Sequence, residues 1–143
     1  MSRIFLDATV LFADALSKTG ASRELLYLAQ RGEVELVTNE IAVIEADRNL
    51  TAKNPDSVVL FRLFMKTGLV AIVANPSKEL VETVASYTVL KDAPIVAGAI
   101  ETESDYLATF DRKHLINPPE VSEKAGITIA TSGDILNVIR ESG

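Results

Sequence analysis

The chain has 143 residues, 48% hydrophobic and 24% charged, with a net charge of −6 from 14 basic and 20 acidic side chains. That length and composition suit one domain with a sizeable core, so a single compact domain over residues 1–143 is expected. The absence of cysteine excludes disulfides, thiolate metal sites and cysteine nucleophiles, and the acidic balance argues against a passive nucleic-acid binder, which needs a basic footprint.

An acidic balance is still compatible with an enzyme that carries its positive charge as bound cations. The amino-terminal MSRIFLDATVLF is broken by Asp7 and lacks the pattern of a signal peptide. No stretch approaches the roughly 20 apolar residues that span a bilayer. The expected location is therefore cytoplasmic.

Arg3 to Leu6 is a short apolar-rich run, a strand that delivers Asp7 at its carboxyl end. Val10 to Leu16 follows as a short helix. Ser22 is a candidate cap for a second helix through Leu25, Leu26 and Leu28 that stops at Gly32. Val34 to Thr38 alternates as a strand does, and Asn39 opens a helix to about residue 50. Asn54-Pro55 starts another helix that runs to Lys66 and ends at Gly68.

Leu69 to Ala74 is a continuous apolar run, which predicts a strand covered on both faces. Ser77 caps a helix carrying Leu80, Val81 and Val84, and Asp92 precedes an almost wholly apolar helix, APIVAGAI. Asp105 to Thr109 is a fourth strand, with Asp111 just beyond it. Ile127 to Ala130 adds a fifth before a last helix from Ser132 to Arg140. Alternating strands and helices indicate an α/β domain with a mostly parallel sheet of four or five strands. Ligand sites in such sheets lie at the carboxyl ends of the strands, where Asp7 and Asp111 both fall.

Four acids stand out. Asp7 reads either as a helix cap or as a metal ligand, with the Thr9 hydroxyl as a supporting partner. Glu45 lies in a helix that looks apolar all round (Ile41, Ala42, Val43, Ile44, Ala46), where an inward carboxylate needs a cation; a surface pair with Arg48 is the alternative. Glu40 in the first turn is explained by the helix dipole. Asp92 reads equally as an N-cap, and Asp111 as a strand-end ligand. Asp105 starts its strand and belongs at the other edge of the sheet, as a structural residue. An oxygen-only donor set favours Mg²⁺ or Mn²⁺ over zinc.

The segments FLDATVLF, TNEIAVIEADRNL, LKDAPIVAGAI and DYLATFDRKHL, in this order, resemble the PIN-domain ribonuclease family over essentially the whole chain. The resemblance matches Asp7, Glu45, Asp92 and Asp111 to the family's acids, which are both catalytic and metal-ligating, and Thr9 to its frequent Asn or Thr. It implies a PIN-like three-layer α/β/α sandwich. Chains of this length are similar to VapC-like toxins of toxin–antitoxin pairs. That implies an RNA substrate, Mg²⁺ or Mn²⁺, a homodimer, and an antitoxin whose segment blocks the acidic groove.

The implied reaction is phosphodiester hydrolysis by metal-activated water. His114 reads as a surface residue, the phenylalanines as core, and Arg48, Lys91, Arg112 and Lys113 as solvated charges or phosphate-steering groups. A haloacid-dehalogenase-like phosphatase is an alternative, but it wants an acid where Thr9 stands. A receiver-like signalling domain needs paired acids and a late lysine. A non-catalytic PIN-like interaction module is the third alternative, and the four acids count against it.

Overall fold

The computed structural model describes residues 1–17 and 20–142. Its five strands are β1 (Ser2–Leu6), β2 (Val34–Asn39), β3 (Val70–Val73), β4 (Tyr106–Ala108) and β5 (Thr128–Ala130), all parallel in the order β3-β2-β1-β4-β5. The chain first steps from β1 out to β3, then returns to the other side of β1 to lay down β4 and β5. The order therefore reverses between β1 and β4, the kind of place where open parallel sheets present a crevice.

Register aligns the carboxyl ends at that reversal. Phe5 lies opposite Val37 on one side and Leu107 on the other. The ladder continues past the strands, with the Asp7 amide donating to the Ala108 carbonyl and the Thr109 amide to that of Ala130. Asp7, Asn39 and Thr109 thus end their strands side by side.

Both faces of the central strand are covered, since Ile4, Phe5 and Leu6 are all buried. On the face reached by Phe5 lies α6 (Ala93–Glu101), with α5 (Lys78–Ala85) and α7 (Pro119–Ala125) packed against it. On the other, α2 (Ala21–Gln30) packs with α8 (Ser132–Ser142). This is the expected three-layer sandwich. A further group, α1 (Ala8–Leu16), α3 (Glu40–Lys53) and α4 (Val58–Lys66), packs on itself, and the Arg62 side chain clamps Asp47 through two bonds of 2.7 and 3.0 Å.

Gly98 lets α6 approach the sheet. A Cβ there would fall 2.7 Å from Asn39 Nδ2 and 2.8 Å from the Phe5 ring, closer than real contacts allow.

Several expectations need correction. The run Leu69–Ala74 does form β3, but β3 is an edge strand and Ala71 and Ile72 are exposed. Ser22 does not cap α2: Gly20 holds the cap position without a side-chain bond, and the Ser22 hydroxyl donates to Ser132 Oγ at 2.9 Å. The helix expected at Pro55 begins with a 3₁₀ turn, Pro55–Ser57. Elements without a sequence expectation include α7, a 3₁₀ turn at Leu90–Asp92 and a π-helical turn at Arg112–Ile116. Among the described residues, no helix is long and apolar enough to cross a membrane.

Candidate metal centre

Asp7 leaves the end of β1 and turns directly into α1. Its Oδ1 accepts from the Ala8 amide at 2.6 Å. Oδ2 accepts from the Thr109 hydroxyl at 2.6 Å and from Thr9 at 3.2 Å. The side chain is only 5% exposed. Burial pushes its pKa up, the bonds from Thr109, Ala8 and Thr9 oppose that, and repulsion from Asp111 adds to it. Capping and membership of an acid cluster are both realised in this one residue.

Thr109 also accepts from the Asp111 amide at 3.0 Å, so one hydroxyl links the two strand-end acids. Asp111 in turn caps the Arg112–Ile116 turn, its Oδ1 accepting from the His114 amide at 3.0 Å. That turn folds the imidazole back over the carboxylate, with Nδ1 at 3.3 Å from Asp111 Oδ2. Asp92, Asp111 and His114 each offer one ligand atom, all within 4.8 Å of one another. His114 thus belongs to the cluster, not to the general surface. The missed signal was D-x-x-H spacing across a turn, and its imidazole adds a nitrogen to the expected all-oxygen donor set.

Asp92 overturns its simplest explanation. It stands at the N-cap position of α6 but adopts a helical φ of −93° and ψ of −13°, and its side chain makes no capping bond. Its Oδ2 is buried with no hydrogen-bond partner. A buried carboxylate oxygen left so is costly unless a cation or proton meets it. Its pKa is pushed up to about 6, by burial first, then by Asp111 and Asp7, with Lys91 and His114 pulling the other way.

Glu45 is half-buried and, among the described residues, has neither a hydrogen bond nor an ion pair, so the surface pair with Arg48, the alternative reading, is not formed. Burial raises its pKa and Asp7 raises it further, against Lys91 and Arg48. The premise that its helix has no solvated face was wrong, because neighbouring Ile44 is 55% exposed. Asn39 places this helix against the Asp92 end of α6: its Oδ1 accepts from the Ala42 amide at 3.0 Å, and its Nδ2 donates to the Pro94 carbonyl at 3.2 Å.

Asp105 lies elsewhere, as expected, its carboxylate accepting from the Arg3 amide at the start of β1. A larger cavity of about 740 Å³ also opens at the amino ends of the strands, lined by Arg3, Val34, Glu35 and Leu69 among others. There Arg3 pairs with Glu35 at 2.8 Å. Glu101 and Glu103 also line the cavity, but among the described residues it is at the carboxyl edge that ligand atoms converge. There an unpartnered Asp92 oxygen lies among like charges, and Asp92, Asp111 and His114 offer a donor set that fits a divalent cation, with Asp7 near enough to raise the pKa of Asp92 and of Glu45.

No family model matches the sequence, and no curated protein matches it. Among solved structures, PAE2754 from Pyrobaculum aerophilum superposes with a TM-score of 0.65 at 18% identity, over 98% of this chain and 90% of that one. VapC20 of Mycobacterium tuberculosis, a toxin that cleaves the sarcin–ricin loop, superposes with a TM-score of 0.59 at 13% identity, over 77% of this chain and 91% of that one. The fold is PIN-like, as expected.

Proposed function

We propose that this chain is a divalent-metal-dependent ribonuclease, the toxin half of a toxin–antitoxin pair, with Asp7, Glu45, Asp92 and Asp111 as its catalytic acids. The observation that carries this reading is the buried, unpartnered Asp92 Oδ2 in a group with Asp111 and His114. The likeness of fold to VapC20, itself an RNA-cleaving toxin, supports the substrate class.

Mg²⁺ or Mn²⁺ bound by these side chains supplies a Lewis acid that acidifies water and offsets phosphate charge. The chain's own residues do the rest. Thr109, Thr9 and the Ala8 amide fix both Asp7 oxygens, with Oδ2 accepting two bonds and Oδ1 one, which leaves a lone pair on Oδ1 for a ligand. The His114 amide and imidazole orient Asp111 in the same way. Glu45 makes no competing bond, and its raised pKa suits it to take a proton from the attacking water at a carboxylate oxygen. Lys91 and Arg48 lie close enough to act on these acids and to draw a phosphate towards them.

Thr9 donates to Asp7 where a dehalogenase-like phosphatase needs an acid, which counts against that alternative. The single domain, the homodimer and an antitoxin segment over the acidic groove complete the proposal. Exposed Val59, Leu60 and Leu63 on α4 supply apolar surface of the kind interfaces use.

The test incubates a mixed RNA pool with wild type, Asp7→Asn and Asp92→Asn, under Mg²⁺, Mn²⁺ and chelator. Cleavage is expected only by wild type with metal; equal cleavage in every arm sinks the reading. Co-purification with the product of an adjacent small gene tests the antitoxin, and light scattering tests the dimer.

A further inference from the structure

Phe110 and Arg112, which flank Asp111 in sequence, line a cleft of about 380 Å³ together with Ala13, Ala21, Thr131 and Gly133. Its volume falls within the roughly 300–1,000 Å³ of small-ligand sites. Phe110 is 44% exposed, although the sequence pattern placed it in the core with Phe5 and Phe61, which are indeed buried. A solitary exposed phenylalanine needs no explanation. This one is held in a particular place.

The Phe110 amide donates to Thr9 Oγ1 at 3.1 Å, and that same hydroxyl donates to Asp7 Oδ2 at 3.2 Å. The ring is therefore carried on backbone pinned to the acid cluster, between Thr109 and Asp111. Arg112, on the other side of Asp111, is exposed, and among the described residues its guanidinium has no hydrogen bond or ion pair. Ser17, Gly20 and Ser22 also line the cleft.

We infer that this cleft holds one nucleotide of a single-stranded nucleic acid beside the phosphodiester presented to the acids, its base stacked on Phe110 and its phosphate paired with Arg112. The inference rests on the ribonuclease reading of the adjoining acids. An aromatic face accepts any base, and a guanidinium accepts any phosphate, so the subsite selects for an unpaired strand and not for a sequence. Bases in a duplex are already stacked and out of reach of the ring.

The experiment measures anisotropy of an end-labelled single-stranded RNA, the same sequence as DNA, and the RNA duplex, with Ca²⁺ present. The proteins are wild type, Phe110→Ala, Phe110→Trp and Arg112→Gln, each checked for an unchanged melt. Wild type binds both single strands more tightly than the duplex. Phe110→Ala loses roughly 5- to 150-fold, the range of one stacked base, and Phe110→Trp retains binding. Arg112→Gln lowers the slope of log affinity against log salt by about one.

No binding by wild type, equal affinity for the duplex, or unchanged affinity in a folded Phe110→Ala overturns the subsite. Cleavage of the same RNA with Mn²⁺ separates the two claims. A chain that binds through Phe110 but never cuts keeps the subsite and loses the nuclease; a chain that cuts equally well as Phe110→Ala does the reverse.

Discussion

The Thr109 hydroxyl donates to Asp7 Oδ2 at 2.6 Å across 102 residues of sequence, while accepting from the Asp111 amide at 3.0 Å. One fully buried hydroxyl therefore sets the spacing of the two strand-end acids. Thr109→Val keeps the shape, leaves the Asp111 amide without its partner and takes the shorter of two bonds from Asp7 Oδ2, at a cost of about 1–3 kcal/mol. The expected outcome is a lower urea midpoint and at least a tenfold loss of RNA cleavage, with Thr109→Ser restoring most of both. Wild-type stability in the valine variant removes this role.

Asp92 links metal to stability. Its pKa is raised, so the folded state holds the proton more tightly than the unfolded chain does. The stabilisation this gives is complete below about pH 4 and lost as pH rises through about 6. In chelator at pH 8, Asp92→Asn is expected to melt higher than wild type, with the gap closing towards pH 4. Added Mn²⁺ should reverse the order by stabilising wild type alone. Melting curves at both pH values with and without Mn²⁺ check this; a variant that gains as much from Mn²⁺ as wild type contradicts it.

Asp14 gives a second pH effect away from the acid cluster. It is buried in α1, with Oδ1 lacking any hydrogen-bond partner, and burial pushes its pKa up to about 7 against the pull of Arg23. The sign is the same: its stabilising contribution is complete below about pH 4 and disappears as pH passes 7. Asp14→Asn is expected to stabilise the chain at pH 8 by up to about 4 kcal/mol, at 1.36 kcal/mol per pKa unit. Chemical denaturation at pH 8 and pH 4 tests it, the difference vanishing at the lower value.

Gly98 admits no side chain without movement of Asn39 or Phe5. Gly98→Ala should cost about 1–3 kcal/mol by overpacking. Because Asn39 also joins Ala42 and Pro94, the same change should weaken metal binding through the helices carrying Glu45 and Asp92. Titration calorimetry with Mn²⁺ would show it; unchanged affinity would separate helix packing from the acid site.

The strand ends and the position of Asp7, Asp105 and Asp111 along the sheet were legible because they follow from period and order alone. Other features depended on information that no local pattern contains. Asp92 sits where a cap would, but capping needs an extended backbone and Asp92 is helical. His114 reaches Asp111 only because a π-helical turn forms at Arg112–Ile116. The apolar VAIV run looked central, yet whether a strand is central or at an edge is decided by the order of the sheet. The short α7, PEVSEKA, buries only Val121 and carries too little periodicity to announce itself.

Asp7 is synthesised 102 residues ahead of Thr109, the residue whose hydroxyl holds it. In a sheet built wholly from crossovers, no local hairpin can assemble the acids before β4 has been made and docked. A nascent chain on its own ribosome therefore carries an incomplete cluster until β4 has been made. If the finished protein cuts RNA, its own messenger is spared until then.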